Sequence, residues 1–201
     1  AFFDELMSAK NIGDVISKVM QTEYGPDLEG RILHGRTATQ VDEALKDNMT
    51  RTFRKVLSHC NDEATALVTT LLGRWDLFNI KTIIRGKHMN LPEEEIVESL
   101  IAVGQLTQVD SEELAKQPDI RSLVDTLSTW GLPFAVPLRE VMPQYEEEED
   151  LSLLELALDR YYYEWASKRL KGWRENARIA RTFLAAQVDT MNLLTSIRLL
   201  N

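Results

Sequence analysis

Apolar side chains recur at spacings of three and four along most of the chain, the pattern typical of helices with one buried face. Residues 41–87 predict two long helices of this kind, which meet near His59 and Cys60. One apolar stripe in the second helix comprises Leu67, Leu71, Trp75 and Phe78 and continues through Ile80, Ile83 and Ile84. The alternating pattern of strands persists nowhere, so the sequence predicts an all-α fold.

Two further long helices are predicted near the end of the chain, at 151–171 and 174–200, with a break at Gly172. Between the two pairs of helices the pattern is interrupted by Pro118, Gly131, Pro133, Pro137 and Pro143. We interpret this stretch as a connecting region. The acidic run at 146–150 is interpreted as a solvated loop or a first helical turn, with contact to a basic partner as the alternative.

Residues with capping properties mark the predicted helix starts. A weak capping box spans 39–42, and Asn61 is a second candidate N-cap. Pro92 is expected at the first position of a third helix, because its missing N–H is not needed there. The acids at 93–95 would then face the positive end of that helix dipole.

The sequence also repeats itself at long range. A shift of 113 positions aligns residues 41–88 with 154–201 without a gap, and 12 of the 48 pairs are identical. Upstream, residues 11–19 resemble 119–127 at a shift of 108 positions. A period of this length indicates duplicated multi-helix architecture. We therefore predict tandem pseudo-symmetric helical-bundle repeats with long helices.

The first repeat is expected over 1–110 and the second over 111–201. Polar residues recur at every third position near the end of each copy, and these are Asp76, Asn79, Thr82 and Arg85, then Asp189, Asn192, Thr195 and Arg198. Polar groups on an otherwise apolar helix need hydrogen-bond partners. We predict that these residues fix helix packing within each bundle, with direct binding of a partner protein as the alternative.

Composition narrows the possible functions. The chain is 44% hydrophobic and 27% charged with a net charge of −9, which suits a folded globular protein and not a binder of nucleic acid or anionic membranes. Its one cysteine, Cys60, excludes an internal disulfide framework and fits a reducing compartment. No run approaches the roughly 18 to 20 apolar residues needed to cross a bilayer. Any membrane association is therefore expected to occur through protein partners.

Residues with reactive or ligating side chains are few. Residues 30–37 have the spacing of a P-loop, but Arg36 stands where the lysine belongs and no buried strand precedes it. A loop with an N-capping threonine is the favoured interpretation. His34, His59 and His88 lack metal-ligand spacing, and Cys60 points away from His59 on a helix. We expect no catalytic residue, no cofactor and no metal.

The segment from Asp76 to Lys87 reads Asp-x-x-Asn-Ile-Lys-Thr-Ile-Ile-Arg-Gly-Lys. This segment resembles the hallmark of the C subunit family, called d in eukaryotes, of rotary vacuolar-type and archaeal-type ATPases. Residues 11–25 and 158–162 are also similar to that family. The resemblance therefore covers nearly the whole chain.

The resemblance implies a funnel-like body of three similar helical repeats, of which this chain would hold about two. It implies a non-catalytic rotor adaptor with two partners, the central shaft and the membrane proteolipid ring, between which it transmits torque during proton or sodium transport. The protein would be cytoplasmic and peripheral to the membrane, held there by partner subunits. The alternative is a helical-repeat scaffold that binds peptides in a concave groove, although solenoids use many short repeats instead of one long period.

A missing third repeat would have a structural consequence. Ile197, Leu199 and Leu200 should be more exposed than their first-copy partners, and contiguous exposed apolar surface favours association. We expect self-association of the chain at this end.

Overall fold

A computed structural model describes residues 2–31, 37–170 and 175–199, and all side chains there except those of Thr195, Arg198 and Leu199. These residues form eleven α-helices and no strand, which confirms the predicted all-α class. The helices are α1 (Phe2–Met7), α2 (Ile12–Val19), α3 (Gly25–Arg31), α4 (Ala38–Ser58), α5 (Asp62–His88), α6 (Glu93–Glu98), α7 (Gln108–Ala115), α8 (Ile120–Thr129), α9 (Ala135–Glu148), α10 (Leu151–Arg169) and α11 (Glu175–Leu199). Over the described residues, no helix combines the length and apolar character needed to cross a membrane.

The chain divides into two compact units, Ala1–His59 and Cys60–Asn201. The first unit has a small core centred on Val19, Leu28 and Ala44. Charged and polar side chains hold α3 against α4, since Asp27 accepts a hydrogen bond from Asn48 (2.7 Å) and Arg31 pairs with carboxylates of α4. The repeat boundaries predicted at 1–110 and 111–201 describe the duplication of the sequence and stay a prediction.

The second unit is built around α5, which packs against α6, α7, α8, α10 and α11. The pair α9 and α10 closes the other side of the core. The fully buried large side chains of the second unit are Ile80, Ile83, Ile84, Ile96, Leu114, Leu123, Leu127, Leu138, Leu154 and Tyr162. Burial of this apolar area is the main stabilising contribution to the unit.

The helix starts agree with the predicted capping residues to within two positions. Asn61 caps α5 by accepting a hydrogen bond from the N–H of Ala64 (2.9 Å), as predicted. The capping box of α4 is formed by Thr37 and Gln40, so the box predicted at 39–42 lies two residues late. Pro92 occupies the N-cap position one residue before α6.

The interpretation of the proline-rich stretch as a connecting region is wrong in one respect. Most of residues 118–148 is helical and forms α8 and α9. Pro137 lies in the first turn of α9, where a proline costs little, and Pro143 is tolerated further along the helix. The acidic run is divided, because 146–148 form the last turn of α9 and 149–150 form the short exposed connection to α10, so the interpretation as a solvated loop holds for these last two residues. Glu149 adopts a left-handed conformation (φ 52°) and Asp150 caps α10.

Helix boundaries recur at the spacing of the sequence repeat. The first residues of α4 and α10, Ala38 and Leu151, are 113 positions apart, as are Asp62 and Glu175, which begin α5 and α11. Asp119 caps α8 as Asn11 caps α2, each accepting from the N–H three residues ahead. This agreement supports the duplication, and the superposition of the two copies stays a prediction.

Candidate functional site

The first copy of the repeated polar motif binds the loop between α6 and α7 through hydrogen bonds. We call this segment the α6–α7 loop (residues 99–107). The side chain of Asn79 pairs with both backbone groups of Ile101, donating to its carbonyl and accepting from its N–H, each at 2.9 Å. The two carboxylate oxygens of Asp76 accept from the N–H groups of Gln105 and Leu106, both at 2.9 Å. Four backbone hydrogen bonds therefore fix the path of this loop across α5.

Apolar side chains of the same loop fill the space around these polar contacts. Leu100, Val103 and Leu106 are 4%, 5% and 3% exposed, and Asp76 and Asn79 lie beneath them at 2% and 0%. Buried polar groups are costly unless they are paired, and here each is paired with backbone groups of the loop. The loop is thus held by both burial and hydrogen bonds.

Gly104 allows the close approach of the loop to Asp76. A Cβ at this position would lie 2.1 Å from Oδ1 of Asp76, far inside van der Waals contact. Sequence reasoning missed Gly104 because no spacing relates it to the motif. The available signal was a lone glycine between Val103 and Gln105 in a stretch with few polar residues.

Burial raises the pKa of Asp76 from 3.8 to about 6, although the hydrogen bonds from Gln105 and Leu106 oppose the rise. The folded protein therefore keeps this proton up to about pH 6, whereas the unfolded chain releases it near pH 4. The unfolded state binds fewer protons between these values. The contribution of Asp76 to stability consequently falls as the pH rises through this window.

We therefore expect the unfolding free energy of the wild-type chain, relative to the Asp76→Asn variant, to fall by up to about 3 kcal/mol between pH 4 and pH 7. Urea unfolding at a series of pH values measures this difference. The variant removes the titrating group, so effects of the other carboxylates cancel in the comparison. A difference that is constant with pH, or that grows as the pH rises, would contradict the raised pKa.

The last part of the motif faces α10. Arg85 makes a two-pronged ion pair with Glu155, of which the Nη2 to Oε2 distance is 2.7 Å, and Lys81 contacts Asp159 at 2.8 Å. Although burial alone would raise the pKa of Glu155, the hydrogen bond from Arg85 and the charges of Lys81 and Arg85 lower it. Thr82 is half-buried beside them. Charged side chains thus link α5 to α10 at the edge of the core.

The second copy of the motif is in a different environment. Asp189 and Asn192 are exposed on α11, and the side chains of Thr195 and Arg198 lie outside the described residues. Ile197 is 47% exposed whereas its counterpart Ile84 is fully buried, as predicted for this end of the chain. Leu199 and Leu200, named in the same prediction, lie outside the described side chains. In the first copy, the motif residues thus contact the α6–α7 loop and helix α10. In the second copy, Asp189 and Asn192 lie at the surface.

The other candidate residues are scattered. His59 is exposed with its ring nitrogen Nδ1 2.8 Å from the carbonyl of Lys55, and His88 contacts the hydroxyl of Tyr145 at 3.0 Å. Cys60 is a free, half-buried thiol. The P-loop-like segment lies mostly outside the described residues, from 32 to 36, and includes His34. Thr37 at its end caps α4, in agreement with the favoured interpretation. Within the part of the chain that is described, His, Cys, Asp and Glu side chains nowhere gather in a group of three or more that could hold a metal ion.

Comparison with known proteins identifies relatives along the whole chain. A sequence model of the family described as ATP synthase (C/AC39) subunit matches residues 1–201. The chain is 26% identical over 191 residues to the V-type ATP synthase C subunit of Deinococcus radiodurans, covering 95% of this chain and 53% of that protein. It is 29% identical over 194 residues to the A-type ATP synthase C subunit of Methanococcoides burtonii (94% and 52%), and 31% identical over 180 residues to that of Halorubrum lacusprofundi (89% and 51%).

The described residues define an all-α protein with a recurring helix order, in which buried polar side chains hold a loop against a long central helix. Because the family match extends over the whole chain, the chain belongs to the ATP synthase (C/AC39) subunit family, which confirms the resemblance found in the sequence. That family is one of non-catalytic accessory subunits of rotary ATPases, in agreement with the prediction of a chain without an active site. The chain spans about half the length of the curated relatives that it matches.

Proposed function

We propose that this protein is the central-stalk adaptor of a rotary V-type or A-type ATPase or ATP synthase, coupling the central shaft to the membrane proteolipid ring. The observation that carries this proposal is the match of all 201 residues to the C/AC39 family. The adaptor acts mechanically, during proton or sodium transport, and performs no chemistry itself. It lies on the cytoplasmic side and reaches the membrane only through its partners.

The internal construction of the second unit supports a mechanical role. A part that transmits torque must resist local deformation, and packed cores and paired polar networks provide such resistance. Here the four hydrogen bonds from Asp76 and Asn79 fix the α6–α7 loop, and the ion pairs of Lys81 and Arg85 connect α5 to α10. We propose that the motif maintains this rigidity, and that the contacts with shaft and ring are made elsewhere on the surface.

The net charge also bears on the choice of partners. A chain with a net charge of −9 is best accommodated by partner surfaces that carry complementary positive charge. Such complementarity speeds association and makes binding sensitive to ionic strength. The proposal therefore includes salt-sensitive assembly with at least one of the two partners.

The test is copurification of the tagged full-length protein with the central-shaft subunits and, separately, with the detergent-solubilised proteolipid ring. We expect both to be retained at low ionic strength, with at least one released as salt is increased. An Arg85→Met variant is the control for the motif, because it removes an internal ion pair and should leave retention unchanged. Retention of neither partner, or of the catalytic subunits alone, would refute the adaptor function.

A further inference from the structure

One face of α11 is exposed where the corresponding face of α5 is buried. The residues concerned are Asp189, Thr190, Asn192, Leu193, Ser196 and Ile197, which are all exposed. Their six counterparts 113 positions earlier are all buried, and these are Asp76, Leu77, Asn79, Ile80, Ile83 and Ile84. The first part of α11 behaves differently, since Ala180 and Leu184 are buried within the unit. The part of α11 that carries the polar motif therefore lacks the cover that the same part of α5 has.

In the first copy, this face is covered by polypeptide that directly follows α5 in the sequence. Asn79 binds the backbone of a residue 22 positions downstream, and Asp76 binds N–H groups 29 and 30 positions downstream. Carboxylate and amide side chains at this spacing can therefore recognise a loop through its backbone alone, whatever its side chains are. The same two residue types, three positions apart, stand exposed on α11.

We propose that Asp189 and Asn192 form a second loop-binding site, and that its occupant is the polypeptide that follows α11 in the longer protein. The relatives are about twice as long as this chain, which leaves ample sequence for such a segment. Asn192 pairs with both backbone groups of a residue about 22 positions further on, and Asp189 accepts two N–H groups about 29 and 30 positions further on, as in the first copy.

A second copy of this chain fits the site less well. An N–H pair of the required kind is offered by Gln105 and Leu106 in the α6–α7 loop, but both groups are already bound to Asp76. A loop whose backbone N–H and C=O groups still lack hydrogen-bond partners suits the exposed carboxylate of Asp189 and amide of Asn192 better than a second copy does. The apolar neighbour Leu193, 63% exposed, would then be covered by the same loop, and its counterpart Ile80 is fully buried in the first copy.

The correspondence does not extend to the contact between α5 and α6. A Cβ on Gly86 would lie 2.5 Å from Cγ1 of Ile96, so the close packing of these two helices requires glycine. The sequence counterpart of Gly86 is Leu199. Any helix that follows α11 must therefore lie further from it than α6 lies from α5, and the proposal is limited to the loop.

The test compares two paired substitutions in the full-length protein, Asp189→Ala with Asn192→Ala, and Asp76→Ala with Asn79→Ala as the matched control. Hydrogen exchange of individual amides is the readout, because each pair should release only its own loop. We expect the first pair to speed exchange by about tenfold or more at the amides 29 and 30 residues beyond Asp189 and to leave Gln105 and Leu106 unchanged. The control pair should do the reverse.

A second measurement uses residues 1–201, in which the proposed occupant is lacking. There the α11 pair should leave the urea unfolding midpoint unchanged, whereas the α5 pair should lower it. If the full-length variant does not fold, Asp189→Asn, which keeps a carbonyl acceptor, replaces it and should affect the same amides to a smaller extent. Unchanged exchange beyond Asp189 overturns the proposal, and so does a full-length dimer that dissociates when Asp189 and Asn192 are substituted. None of these readouts involves shaft or ring, so their outcome is independent of the adaptor function.

Discussion

Replacing Gly104 by alanine is expected to lower the unfolding free energy of the 60–201 unit by about 2 to 4 kcal/mol. The new Cβ would lie 2.1 Å from Oδ1 of Asp76, so the α6–α7 loop must move away from α5. The N–H groups of Gln105 and Leu106 then lose a charged acceptor while Asp76 stays buried. Tryptophan fluorescence during urea unfolding measures the loss, because all four tryptophans lie in this unit.

The control for the substitution itself is Gly30→Ala in α3, where a Cβ would meet no atom within 4 Å. This change should leave the fluorescence transition unaltered. If Gly104 acts by allowing the loop to approach the carboxylate of Asp76, then Gly104→Ala should lower the unfolding free energy only slightly in an Asp76→Ala background, where the contact is already lost. Full additivity of the two substitutions would show that the glycine matters for another reason.

The sequence indicated which polar residues to examine, but not what they contact. Asp76 and Asn79 were found because they recur 113 positions later on a predicted helix. Their partners lie 22 to 30 positions downstream in a loop without a recognisable motif, and backbone partners leave no trace in side-chain identity. The same independence from side chains is why Gly104 was missed.

The predicted apolar stripe of α5 illustrates a related difficulty. Leu67 is buried as expected, but Phe78 is 39% exposed, whereas the polar Asn79 beside it is fully buried. A helix surrounded by neighbours on several sides has no single solvent face, so the periodicity of hydrophobic residues is weak evidence for the orientation of its side chains. Burial of Asn79 is decided by the carbonyl and N–H of Ile101.

In α9, tertiary packing outweighs a helix-breaking residue in the local sequence. Pro143 removes an N–H from the interior of α9, which normally argues against a helix. Packing outweighs this cost, because Leu138 and Met142 on the same helix are buried in the core. Tertiary contacts decide such cases, and they are not visible in the local sequence.

Identical residues can also have opposite environments. Asp76 is 2% exposed and Asp189 is exposed, although both belong to the same repeated motif and both lie on helices that begin 113 positions apart. The difference lies in what each helix is packed against. No property of the residue itself could have predicted it, whereas the position of the helix within the repeat could, as the exposure of Ile197 shows.

Tyr162 is expected to be the most sensitive aromatic position in the second unit. Its side chain on α10 is fully buried against α5, and its ring is so close to Gly73 that a Cβ there would lie 3.4 Å away. Truncation by Tyr162→Ala would leave a cavity between α5 and α10. We expect a loss of about 3 to 5 kcal/mol in unfolding free energy, measured by urea unfolding followed by circular dichroism.

The matched control is Tyr162→Phe, which keeps the ring and removes only the hydroxyl. That hydroxyl donates to the backbone carbonyls of Thr70 and Leu71 at 3.3 Å, which is long for a hydrogen bond. Both carbonyls lie in the interior of α5 and keep their helical partners, so no buried acceptor is left unsatisfied. The loss should therefore be about 1 kcal/mol or less. If phenylalanine were as damaging as alanine, the hydrogen bonds to α5 would hold α10 in place and the packing of the ring would not.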